Sequence, residues 1–252
     1  MTTTTDTAPD ASTGGTPTTV LVTGANKGLG LETSHRLAEL GWTVWMAARD
    51  RERGETAARE VSAAHPGADV RFVELDVTDD DSVAKAYEVV SGSGTGLDVL
   101  VNNAGIIGGG RPTLETTPAD VLPVLQVNLL GPVRVTHAFL PLLTASRRPR
   151  LVMVSSGLGS IQLVNDPSRT ESRVPGLAYQ SSKAALNMVT TLYAKALPDV
   201  RVCAVDPGYT ATDLNGRSGP QTVREGTDAI VTAAAADVVP GQHFDRYGVS
   251  PA

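Results

Sequence analysis

Tyr179 and Lys183 stand four residues apart in Ala178-Tyr-Gln-Ser-Ser-Lys-Ala184. On a helix that spacing puts both on one face, one turn apart. An ammonium held beside a phenol favours the ionised form, so the pair predicts a tyrosine working below its ordinary pKa of about 10. The chemistry it suits is general acid–base catalysis near neutral pH. A second constellation, Thr23-Gly-Ala-Asn-Lys-Gly-Leu-Gly30, follows an apolar run and opens a helical stretch. Gly24, Gly28 and Gly30 permit a tight turn and a close approach of backbone to pyrophosphate, with phosphate at the helix N-terminus. The spacing is G-x-x-x-G-x-G with no Gly-Lys-Ser/Thr after it, so it is not a P-loop. The two constellations together imply an enzyme that holds a nicotinamide dinucleotide and moves a proton with a phenol.

The elements that must position these residues alternate along the chain. Strand candidates are Thr19–Thr23, Thr43–Ala47, Val70–Leu75, Val99–Asn102, Arg150–Ser155 and Arg201–Val205. Short, continuous and valine-rich, they read as strands covered on both faces. Helix candidates are Gly28–Leu40, Arg51–Ala64, Asp80–Val90, Pro118–Leu143 (broken at a proline), Tyr179–Leu197 and Gln221–Ala236. Repeated βα units with right-handed crossovers predict an α/β fold, one Rossmann-type doubly wound parallel sheet with helices on both faces. Residues 1–17, rich in Thr with Pro, Gly, Ser and Asp, read as a disordered tail. No internal linker divides the rest, so residues 18–252 read as a single dinucleotide-binding catalytic domain.

Composition excludes several classes. Formal net charge is −6, so no chain-wide basic field exists to attract nucleic acid or anionic lipid. Arg147, Arg148 and Arg150 form the densest basic cluster and read as a solvated loop. Cys203 is the single cysteine, set among Val202, Ala204 and Val205, and reads as a buried strand thiol. The four histidines show no metal-ligand spacing, and no metal site is expected. The acidic run Asp76, Asp79, Asp80, Asp81 precedes a helix, where carboxylates cap free N–H groups. No apolar run approaches a membrane span, and residues 1–19 contain no Leu, Ile, Val or Phe. A cytoplasmic location is expected.

The glycine spacing, the Asn102-Asn-Ala-Gly105 segment and the tyrosine–lysine pair resemble the short-chain dehydrogenase/reductase family. Its motifs occur in order: TGANKGLG at 23–30, LDVTD at 75–79, VNNAG at 101–105, VNLLGP at 127–132, VMVSSG at 152–157, YQSSK at 179–183 and DPGYTAT at 206–212. Asn26-Lys27 and Ala48-Arg49-Asp50 are similar to the NADPH-dependent carbonyl reductase branch. The resemblance implies that Tyr179 is the acid in reduction or the base in oxidation. Lys183 would lower its pKa and hold the cofactor ribose. Ser156 would bind the substrate carbonyl, with Ser155 the alternative because adjacent strand residues face opposite ways. Asn128 would hold a water that relays protons from Lys183. Asn26, Lys27 and Leu29 join the three glycines in the cofactor turn. Asn103, Ala104 and Gly105 would line the adenosine ribose, and Asp76 with Val77 the adenine. Pro207, Gly208, Thr210 and Thr212 would close over nicotinamide and pyrophosphate. Ala48 stands where NAD-binding members carry an acid, and Lys27 and Arg49 would meet a 2′-phosphate, so the cofactor is expected to be NADP(H).

The stretch between Ser156 and Tyr179 is longer than in the family's shorter members. The additional residues, 164–176, are polar and predict a flap beside the substrate pocket or a cover over a subunit contact. They favour a monomer or weak dimer, with a tetramer the alternative. The expected activity is NADPH-dependent reduction of a small ketone or aldehyde, reversible with the alcohol. The competing readings are a non-catalytic dinucleotide-binding regulator and a biosynthetic enzyme using the same residues for a less usual step.

Overall fold

Runs of valine and leucine bounded by turn residues become strands here because both faces of each are buried. The computed structural model describes residues 17–252. β1 (Thr19–Thr23) leads to α1 (Gly28–Glu39), β2 (Thr43–Ala48) to α2 (Arg51–Ala64), and β3 (Val70–Glu74) to α3 (Asp80–Gly92). β4 (Val99–Asn102), α4 (Pro118–Leu125), a π-helical turn (Gln126–Leu130) and α5 (Gly131–Thr144) follow. Then come β5 (Arg150–Val154), α6 (Ile161–Asn165), α7 (Leu177–Ala196) and β6 (Arg201–Val205). α8 (Val223–Gly226), α9 (Asp228–Ala235), β7 (His243–Asp245) and β8 (Gly248–Val249) complete the described chain. The expected tail lies outside the described residues except for Pro17.

The strands form one sheet in the order β3-β2-β1-β4-β5-β6-β7-β8, parallel except for the β7–β8 pair. One face packs Val22, Val101 and Val205 under Leu37 of α1, Val61 of α2 and Ile230 of α9. The other packs Leu21, Leu100 and Val202 under Val83 of α3, Phe139 of α5 and Leu186 of α7. This is the expected doubly wound α/β arrangement. Strand order reverses between β1 and β4, and the crevice beyond their carboxyl ends is where such sheets bind ligands. The turn at Gly24–Gly30 and the segment after Asn102 both leave the sheet there.

Several boundaries differ from the sequence reading for identifiable reasons. Asp79 caps α3, accepting from Asp81 N at 2.8 Å and Ser82 N at 3.1 Å, as expected of the acidic run. The long helix is interrupted at the π turn, not at Pro123 or Pro141, which lie inside α4 and α5. Pro132 has no N–H to return to the Asn128 carbonyl, and the ladder shifts there, with Gly131 N bonding Gln126 O. The last expected helix splits into α8 and α9, divided at Thr227. Arg150 is no loop residue: it opens β5 and is buried against Asp237, 2.9 Å away. β7 and β8, too short and polar to show a period, are additions to the expected strands.

Candidate active site

A cavity of about 1000 Å³ opens at the crevice and runs from the first turn to the start of α7. Its walls contain every expected cofactor residue except Gly30. Gly30 lies beneath the turn: a Cβ there would stand 2.4 Å from Gly24 O and 2.6 Å from Asn103 Nδ2. Its absence lets α1 approach β1, and the positive φ of Gly28, 55°, suits glycine. Lys27 caps α1 in extended conformation with no capping side chain, so the first N–H groups of α1 are left to an anion. At the end of β2, Ala48 is buried and carries no acid, while Lys27 and Arg49 are exposed on the cavity wall.

The Asn102–Gly105 segment is fixed from below. Asn103 Nδ2 donates to Thr23 O at 2.8 Å and Gly24 O at 3.3 Å. The Thr23 hydroxyl accepts from Asn103 N at 2.9 Å and Ala104 N at 3.0 Å. The Asn103 side chain therefore braces the glycine turn, and only its backbone remains to face a ribose. At Asp76 burial favours the neutral acid, but Thr78 donates to it twice and Arg49 and Arg134 stand near, which together hold the carboxyl below its usual range. The Thr210 hydroxyl donates to Pro207 O at 3.0 Å, which tightens the turn it was expected to close with.

At the other end, β5 and α7 converge. Tyr179 and Lys183 lie on one face of α7, with Lys183 Nζ 5.6 Å from the phenol ring centroid. Ser156 follows β5; its hydroxyl accepts from Leu158 N at 3.2 Å and stands close enough to the Tyr179 phenol to favour its ionised form. The Ser155 hydroxyl is engaged elsewhere, donating to Asn187 Oδ1 at 2.5 Å. Asn128 lies behind the wall, wholly buried. It donates to Ile106 O at 2.9 Å and Ser182 Oγ at 3.0 Å and accepts from Ile106 N at 2.9 Å. Both amide hydrogens are thus used in bracing the segment after β4 against α7. The Asn128 carbonyl, in contrast, lacks its helical donor because of Pro132.

The charges differ from the expectation drawn from spacing alone. Burial pushes the Tyr179 phenol up to about 12; the Ser156 hydroxyl opposes this and the nearby Asp206 charge adds to it. The phenol is not lowered, and Lys183 Nζ turns to the Val154 carbonyl, 2.7 Å away on β5. Burial in turn lowers Lys183 to about 8, with Asp206 raising it. The buried Cys203 thiol is likewise pushed up to about 12, as befits an inert strand residue.

Residues 164–176 fold as the end of α6, a 3-10 turn over Glu171–Arg173 and an extended run into α7. Thr170, Glu171 and Val174–Gly176 line the cavity, as the flap expectation required. Sequence reading missed Ile106, Tyr209, Asp213 and Asp206 on the walls. Asp206 and Tyr209 lie inside the DPGYTAT segment, and Asp206 carried the further signal of a carboxylate at the end of an apolar strand. Among the described residues, no helix is long and apolar enough to cross a membrane, and no group of three metal-binding side chains occurs.

The short chain dehydrogenase family model matches residues 18–222. The short-chain dehydrogenase anuI of Penicillium roqueforti is 35% identical over 222 residues, covering 85% of this chain and 87% of that protein. (+)-Neomenthol dehydrogenase of Arabidopsis thaliana is 32% identical over 273 residues, covering 87% of this chain and 92% of that protein. The crystal structure of NADPH-bound carbonyl reductase from chicken fatty liver matches with a TM-score of 0.82 at 28% identity, over 94% of this chain and 99% of that one. With its eight-stranded sheet and the ordered motifs, the chain belongs to the short-chain dehydrogenase family and is an oxidoreductase of that family.

Proposed function

We propose that the protein reduces a ketone or aldehyde to an alcohol with NADP(H), and that Tyr179 donates the proton. The observation that carries this reading is one cavity with Ser156, Tyr179 and Lys183 at one end and the glycine turn, Lys27 and Arg49 at the other. The turn fits a dinucleotide because Gly30 lets α1 pack close beneath it and no side chain caps α1, leaving its first N–H groups to meet phosphate. NADPH, when bound, supplies the hydride. Ser156 donates to the substrate oxygen and stabilises its developing charge. Tyr179, held in its protonated form by burial, hands its proton to that oxygen as the carbonyl is reduced. A protonated phenol is the form that reduction uses, and the reverse reaction uses the phenolate as base. Lys183 anchors the ribose hydroxyls and keeps a positive field beside Tyr179. A water on the freed Asn128 carbonyl, and not on its committed amide, is the relay we assign to that residue.

The relatives support the substrate class. Besides neomenthol dehydrogenase they include (-)-isopiperitenone reductase of Mentha piperita, 32% identical over 285 residues. The chicken carbonyl reductase was solved with NADPH bound. The test is NADPH oxidation against a panel of aliphatic, aryl and quinone carbonyls. Turnover of at least one class is expected; NADPH binding without turnover of any would favour the regulator reading and overturn this one.

A further inference from the structure

Asp206 sits at the carboxyl end of β6, on the wall of the same cavity, and the mechanism above leaves it unused. Its carboxylate accepts from Gly208 N at 2.9 Å and lies against the backbone of Gly157. The contact is close: a Cβ on Gly157 would stand 2.8 Å from Asp206 Oδ2. One carboxylate therefore joins the turn that carries Ser156 to the turn that begins at Pro207. We propose that Asp206 is a positioning residue of this active site, tying those two turns together and supplying the negative charge that balances the Lys183 ammonium. The proposal rests on the roles given above to Tyr179 and Lys183.

The charged and titratable groups around Asp206 leave few other cations for it to serve. Lys183 and Tyr179 on α7 and His243 and Asp245 on β7 feel or exert its charge, and Glu171 of the inserted turn faces the same Gly157. Lys183 Nζ donates to the carbonyl of Val154, whose register partner Val205 precedes Asp206. His243 is buried, and burial lowers its pKa, which disfavours its charged form near neutral pH. Glu171 is turned to Arg169 at 3.1 Å. Lys183 is the cation that remains. Burial raises the Asp206 carboxyl above the usual carboxylate range, opposed by the Gly208 N–H, so it is ionised at the alkaline pH where Lys183 titrates and not in acid. Asp206 then acts on the pair in one direction, stabilising the ammonium and opposing ionisation of the phenol.

The test is competitive acetylation of the whole protein with acetic anhydride across a pH series, with Lys183 modification read by peptide mass spectrometry. This readout needs neither substrate nor cofactor. Asp206→Asn should move the Lys183 midpoint down by about one pH unit, the scale of a neighbouring charge. The alkaline limb of NADPH-dependent reduction should move with it, while Asp206→Glu should retain most of the wild-type midpoint. A folded Asp206→Asn protein with an unchanged midpoint overturns the proposal. Should that variant not fold, Gly157→Ala forces the carboxylate aside and should produce the same downward shift; no shift overturns the proposal equally. If the wild type reduces no carbonyl, the proposed function fails, and the labelling still decides the role of Asp206.

Discussion

Removal of the Arg49 guanidinium should erode a preference for NADPH over NADH without weakening NADH use. Arg49 follows Ala48 at the end of β2, where an acid would be needed to bond a ribose 2′-hydroxyl, and Lys27 reaches the same cavity from the first turn. The neighbouring carboxylate, Asp76, is held charged by Thr78 and by Arg49 itself, so the region carries both signs and Arg49 is not a free surface charge. A charge-assisted hydrogen bond contributes about 1.5–3 kcal/mol. Arg49 is exposed, so solvent screening favours the lower end, about 1.5 kcal/mol, or about tenfold in affinity. Steady-state kcat/KM for both cofactors, measured at one salt concentration, should show Arg49→Ala losing about tenfold with NADPH and little with NADH. Ala48→Asp, which restores an acid to the strand end, should move preference toward NADH. Equal kcat/KM for the two cofactors in the wild type, or an equal loss of both in Arg49→Ala, would refute the reasoning.

Three further outcomes follow from the site. Lys183, lowered to about 8, is charged below that pH and neutral above it, so the reductive rate should be flat through neutrality and fall above pH 8; a profile still rising there would contradict the assignment. Tyr179, near 12, stays protonated over that range and should contribute no limb of its own. Gly30→Ala places a methyl 2.4 Å from backbone, an overpacking that costs about 1–3 kcal/mol, and should lower Tm and abolish NADPH binding together. Asn128→Ala removes two bonds to the half-buried Ile106 backbone and one to the buried Ser182 hydroxyl, and denaturant unfolding should show a loss of about 1–3 kcal/mol.

The sheet could be read from sequence because its strands are apolar on both faces and separated by helical stretches; Thr19–Thr23 and Val99–Asn102 are found where expected. His243–Asp245 gave no such signal, since three residues with two polar ones have no period, and only pairing with β6 makes them a strand. The site was readable as a set of residue types at spacings. What spacing could not supply was direction. Tyr179 and Lys183 share a face, yet the phenol is raised by its burial and the ammonium is drawn to Val154 O on a different element. Nor could the sequence show that the Ser155 hydroxyl is taken up by Asn187 from α7. Asn128 could be picked out by its motif, but not the engagement of its amide by Ile106 and Ser182, partners far from it in sequence.

The central claim is that Tyr179 is the proton donor, and Tyr179→Phe tests it most directly. The ring and its packing stay, so NADPH should bind with nearly wild-type affinity in a fluorescence titration. A general acid contributes typically about 10²–10⁴-fold, and single-turnover reduction of a carbonyl substrate should fall by that factor. Retention of more than about a tenth of the wild-type single-turnover rate, with NADPH bound, would show that another group donates the proton.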